Sequence, residues 1–470
     1  MLRAFVIATA ITAGLHAGMS FPAAPPAPAS DEAIVHVLNR IGYGPRPGEV
    51  EKVRAAGLQR FIDDQLHPER IADRSMAERL AGLTTIGMSA GQIAERIELP
   101  ALEARRERKR QAVGTEPQAK DTPVREPLQQ WANALVVELA QAKVLRAVYS
   151  ERQLQEVLTD FWFNHFNVDA RKNRERFLVT IYERETIRPH VLGRFRALLE
   201  ATARDPAMLV YLDNWMSTVP NAPARFRAVA ANNRPRGINE NYARELMELH
   251  TLGVDGGYTQ KDVTEVARAF TGWTIENPRR GSGFRFEPRM HDAGPKTVLG
   301  QRIGAGGGEA DGERVLDLLA SHPSTARFIA FKIARRLVGD DPPRALVDRA
   351  AARFRATDGD LREVTRTILT SPEFLAPDVY AAKVKTPFEF VASALRAAGT
   401  EVGDARPIVR ELREMGMPLY MCQPPTGYAD TADAWVNTGA LVSRLNYALK
   451  LAGPDKQMAQ LLGAPEFQKR

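Results

Sequence analysis

The sequence predicts a mainly α protein: a single large multi-helix assembly with a short β-ribbon near residues 283–303. Three observations carry this. Apolar residues recur at helical spacing over most of the chain, alternation is confined to GFRFEP and KTVLGQRI, and no fixed-period repeat divides the rest. At 470 residues, 44% of them hydrophobic, the chain can bury an extensive core.

Taken in order, MLRAFVIATAITAGLHAGMS has the parts of a secretory leader over residues 1–20. Arg3 is the basic start, Ala4 to Leu15 the apolar stretch, and Gly18 and Ser20 a small-residue cleavage pair. This predicts a periplasmic or secreted protein; retention of the leader as an anchor is the alternative. FPAAPPAPAS, residues 21–30, reads as an extended tether. No later segment offers the roughly 20 apolar residues of a membrane span, so the mature chain is expected to have none.

A helical domain is expected over 31–452, with 453–470 as a tail. Ala33–Ile41, Leu58–Leu66 and Met76–Leu83 read as short helices, and Ile93–Val113 as a longer one broken or kinked at Pro100. GTEPQAKDTPVREP marks a surface loop at 114–127. The pattern resumes over Leu128–Val168 with a break near Tyr149 and Ser150, then over Glu175–Thr186 and Val191–Ala203. Residues 216–238 lack periodicity and read as a lid or binding loop. The ribbon follows, then the glycine-rich loop 303–312, which lacks the Lys-Ser or Lys-Thr ending of a phosphate cradle. Three helices are expected between Asp311 and Leu369, and more from Ala382 to Leu462.

The formal charge of +7 is spread over 64 basic and 57 acidic residues. No basic run is interleaved with aromatics, which argues against a nucleic-acid partner. Cys422 is the sole cysteine, so an internal disulfide is excluded, and its setting beside two prolines reads as a packed thiol.

Histidines carry the chemical interest. On a helical wheel of LQEVLTDFWFNHFN, His165 falls in an apolar arc of about 100°, with Asp160, Asn164 and Asn167 on its flank. NENYARELMELH repeats the arrangement: His250 lies among Tyr242, Leu246, Met247 and Leu249, with Glu245 at the border of the face. Glu248 and His250 stand about 160° apart on an unbroken helix, too far round to share one metal ion. What remains is a composite centre. His165, His250 and His291 are the candidate metal ligands, and Glu245, Asp292 and Lys296 the candidate catalytic groups. Such a set suits a divalent transition metal, zinc, iron or manganese, used for hydrolysis or oxidation. Satisfied core histidines are the structural alternative. Thr259 with Asp262 reads as a helix start, and Lys385 with Glu389 as an i, i+4 pair worth only about 0.3–0.5 kcal/mol if exposed.

NENYARELMELHTLGVDGGYTQKDVTEVARAFTGW resembles the bacterial family called domain of unknown function 1800. LNRIGYGP, FWFNHFNV, HDAGPKTVLG, FKIARRLV, KTPFEF and MGMPLY…WVNTGALVSRLN resemble further blocks of that family in the same order, over about Asp31 to Lys450. The resemblance implies an exported, mainly helical protein, often encoded beside a sulfatase-like protein. It brings no catalytic residues. Tyr428 in CQPPTGYADTADAW stands where the family pattern has tryptophan. Two functions follow as expectations: a metal-assisted enzyme acting on an envelope or extracellular polymer, or a non-catalytic helical scaffold or accessory partner of the sulfatase-like protein.

Overall fold

The computed structural model describes residues 29–112, 125–220, 222, 237–277 and 283–470. The leader 1–20, most of the tether 21–30, and most of the expected loops 114–127 and 216–238 lie outside the described residues.

Helices begin where the sequence supplies an oxygen for their orphan amides. Ser30 caps Asp31–Arg40 through Ala33 N–H, and Asp360 caps Leu361–Leu369 through Glu363 N–H. Thr259 and Asp262 form a reciprocal capping box at the start of Gln260–Ala269, as do Thr386 and Glu389 at Pro387–Ala398. Between residues 309 and 369 there are four helices, not three: Glu309–Ser321, Pro323–Leu337, Arg344–Ala356 and Leu361–Leu369. The first two of these helices part at His322. Its imidazole accepts from Ser324 N–H, and Pro323 takes the first helical position, where no amide partner is needed.

The break or kink expected at Pro100 takes the form of a wide turn just before it. Ala90–Ile93 runs into a π-turn at Ala94–Glu98 and on into Leu99–Ala112. Proline lacks an amide and crowds the carbonyl four residues back, and the expanded turn just before it makes room. The predicted interruption after Tyr149 is present: Arg125–Tyr149 ends there and Gln153–His165 starts a new helix.

The β excursion is two hairpins rather than one ribbon. Trp273–Ile275 pairs antiparallel with Phe284–Phe286, and Lys296–Val298 with Gln301–Ile303. Leu299 (φ 48°) and Gly300 (φ 77°) turn the second chain back within two residues. That geometry matches a primed hairpin turn, in which leucine is uncommon. The glycine loop then spans only 304–308 before Glu309 opens a helix.

Apolar side chains from Ile34 to Leu462 join one core, with a small satellite of Ile93, Ile97 and Leu135. Residues 453–470, set apart as a tail on sequence, belong to this body. Lys456–Gly463 is helical, and Lys385 N–H and Arg470 N–H pair with the carbonyls of Gln468 and Lys383. No helix among the described residues is long and apolar enough to cross a membrane.

Candidate functional site

His165 ends the helix Gln153–His165, and its apolar stripe faces the core as the wheel required. Its ring lies 4.7 Å from Phe166, 5.3 Å from Trp162 and 6.2 Å from Phe328, centroid to centroid. His250 is 6.2 Å away and also packs on Phe166 at 4.9 Å. His165 Nε2–H donates to the His250 carbonyl at 3.1 Å, so that nitrogen is committed to the main chain. Burial holds both rings neutral: His165 well below the usual imidazole range, and His250 down to about 3.

His250 reaches this position through a π-turn, Leu246–Thr251. The Leu252 amide bonds the Met247 carbonyl, and Thr251 Oγ1 donates to the Leu246 carbonyl at 2.7 Å. The widened turn rotates the buried face. Leu246, Met247, His250 and Thr251 are buried, whereas Leu249, which the regular wheel put in the apolar arc, is half-exposed.

His291 keeps other company. Its Nδ1–H donates to the Thr271 carbonyl at 2.8 Å, and its Nε2 lies 3.1 Å from Asp311 Oδ2. Neither nitrogen faces open space. Lys296, fully buried, donates to the carbonyls of Asp292 and Gly294 and to Asp311 Oδ2 at 2.6 Å, which uses all three of its protons. Asp292 is held by the Arg268 fork at 2.8 and 3.1 Å and accepts from Gly294 N–H. Burial would raise its carboxyl, but Arg268 and Gly294 N–H hold it below the usual range. The HDAGPK loop is thus pinned by its own polar groups. Glu245 is half-buried, and that burial together with Glu248 pushes its carboxyl up.

The structure therefore brings His165 and His250 together in one place, and in another gathers His291 and Lys296 on Asp311, with Lys296 also on the Asp292 carbonyl. Among the described residues, no three His, Cys, Asp or Glu side chains are grouped to hold a metal ion. The physical reason is the aromatic packing around the first two rings and the prior hydrogen bonds of the third.

Two asparagines flagged on the wheel latch a distant loop. Asn164 exchanges hydrogen bonds with the Tyr428 main chain at 2.7 and 2.8 Å, and Asn167 donates to the carbonyls of Cys422 and Pro424. Gly427 sits against Asn164 so closely that an added Cβ would lie 2.3 Å from the Asn164 carbonyl oxygen. Tyr428 donates its hydroxyl to the Pro418 carbonyl. Cys422 is buried, and its thiol is pushed up to about 11 by burial and Asp169, which leaves it unreactive.

The family model described as protein of unknown function (DUF1800) matches residues 36–469. The chain belongs to that family. No curated protein and no solved structure matches it.

Separate blocks of the family meet in a buried charge cluster that the sequence did not reveal. FKIARRLV supplies Arg336, which pairs with Glu389 of KTPFEF at 2.9 Å and with Asp160 at 3.3 Å. Arg470 reaches the same Glu389 oxygen at 3.0 Å, Lys143 bonds Asp160 at 2.5 Å, and Arg444 donates to the Lys385 carbonyl. Burial alone would raise the Glu389 carboxyl; Arg336 and Arg470 hold it at about 2. Lys385, read on sequence as the i, i+4 partner of Glu389, is buried over the Phe467 ring, and burial brings its ammonium down to about 7. The cavity beside this cluster measures about 30 Å³, room for a water molecule or two.

Proposed function

We propose that this family member is a non-catalytic helical scaffold, working outside the cytoplasm as a homodimer joined through the helix Thr438–Ala452. One observation carries the reading. Six of the seven exposed large apolar side chains among the described residues lie between 436 and 461: Val436, Leu441, Val442, Leu445, Leu449 and Leu461, each 42–59% exposed. Concentrated exposure of this kind marks an interaction surface. Leu441, Leu445 and Leu449 stand at i, i+4 and i+8, a ridge that packs into the groove of a second helix.

The occupant is argued from charge. Lys450, tied to Glu411, is the one charged residue on the exposed side of this helix. A neutral, self-complementary face meets its own copy across a two-fold axis without like-charge repulsion. The buried, neutral histidine pair agrees with a structural role, since His165 already spends its donor on a carbonyl.

Sedimentation of the purified chain tests both parts. A dimer is expected, and Leu445→Glu with Leu449→Glu should give a monomer with unchanged helix content. A monomeric wild type sinks the homodimer, and in that case a stable complex with the neighbouring sulfatase-like protein would assign the face to that partner. Stoichiometric zinc, iron or manganese that vanishes in His165→Ala and His250→Ala overturns the non-catalytic reading.

A further inference from the structure

A second cavity lies between the helices Ala90–Ile93 and Glu175–Ile181. It holds about 320 Å³, the size range of small-molecule sites. Its walls are apolar: Ile93 of the satellite core, Phe177, Leu178 and Ile181 of the helix Glu175–Ile181, and Pro206. Asp205 is part of the lining. Its carboxylate accepts from Ala207 N–H at 2.8 Å and from Thr186 Oγ1 at 2.5 Å, and it makes no ion pair among the described residues.

The other charges on the lining are spoken for. Glu98 is paired with Arg174, Glu185 with Arg184, and Arg204 with Glu200, Glu309 and Glu313. Asp205 is thus a buried carboxylate facing an apolar space with no cation of its own. Two neutral donors offset only part of the cost of burying a charge. A further carboxyl is close behind: Glu175 is fully buried, neither of its oxygens has a hydrogen-bond partner, and Asp205 raises its proton affinity further.

We propose that this cavity binds an organic monocation, an alkyl or aralkyl ammonium whose charged head pairs with Asp205 while its apolar body fills the space between Ile93, Phe177, Ile181 and Pro206. The charge selects the head group: an anion would meet the unpaired Asp205 carboxylate, and a neutral alcohol would leave that carboxylate without a counter-charge. The walls select the body, because no free polar group lines them to hold a hydrated ligand. This site is independent of the dimer face and stands whether or not that face pairs.

The test is calorimetry on the whole chain at neutral pH with n-octylammonium, 1-octanol and octanoate as probes. Octylammonium is expected to bind at least about tenfold more tightly than octanol, with octanoate weakest, as a desolvated charge pair requires. Asp205→Asn keeps a helix-capping oxygen, so the fold survives, and it should remove the preference for the ammonium while leaving octanol binding in place. Ala201→Leu, on the cavity wall, should weaken both probes together. Equal binding of ammonium and alcohol by the wild type, no saturable ammonium binding, or a preference that persists in Asp205→Asn would each overturn the proposal.

Discussion

Two buried polar regions of this molecule solve the same problem in opposite ways. Around His165 and His250 there are aromatic rings and a main-chain carbonyl, and the imidazoles give up their charge. Around Glu389 there are two guanidinium groups, and the carboxylate keeps its charge at the same depth. Burial is equal in the two places; only the supply of counter-charge differs. A buried ionisable group is therefore read from its neighbours and not from its residue type.

That contrast is broken most severely by removing the shared anion. Glu389→Ala leaves Arg336 and Arg470 buried and facing each other, and should cost about 3–5 kcal/mol of unfolding free energy. Urea titration with circular dichroism measures it, and a loss below about 1 kcal/mol would mean that water enters the cluster and screens it.

Acidification attacks the other region. His250, and likewise His36 elsewhere in the core against Phe374 and Tyr380, is held down to about 3, His36 by burial and then by Arg40, while the unfolded chain titrates near 6.5. The native state binds fewer protons across that window, so their contribution is full above pH 6.5 and falls as pH drops toward 3. Each ring should account for about 2 kcal/mol of lost stability by about pH 5. His250→Phe should flatten the acid limb of a melting-temperature profile; an unchanged limb would mean the ring is already protonated in the fold.

Glu175 sharpens the comparison as a buried carboxyl with no hydrogen-bond donor, on which Lys172 and Arg174 act too weakly to offset burial. Burial and Asp205 raise its affinity for a proton, so its contribution is intact below the ordinary 4.5 and is lost as pH rises. Glu175→Gln should match the wild type in acid and gain on the order of 1 kcal/mol at neutral pH. A loss at neutral pH would show that the carboxyl has a partner in solution.

Much of the fold was legible because helical periodicity is local. The wheel turned His165 and His250 inward correctly, and Thr259 with Asp262 announced a helix start that the structure contains. What the wheel cannot represent is a turn wider than 100° per residue allows, and so it misplaced Leu249. The second hairpin was missed because its turn uses Leu299 in place of the asparagine or aspartate that signals one. The charge cluster was illegible for a different reason. Glu389 has a lysine four residues before it, an adequate local partner, whereas Arg336 and Arg470 are remote in sequence and reach it only through tertiary packing. The candidate centre suffered from the same blindness: periodicity says which way a ring points, and nothing about which other ring it will meet.

The link between His165 and His250 is lopsided, because one end of it is main chain. No side-chain replacement at 250 can delete the accepting carbonyl, so that position is free to drift among apolar residues of similar volume. Position 165 has no such latitude, since only a side chain with a correctly placed N–H keeps the connection. Tolerance to mutation across this pair should accordingly be one-sided, with residue 165 the guarded member.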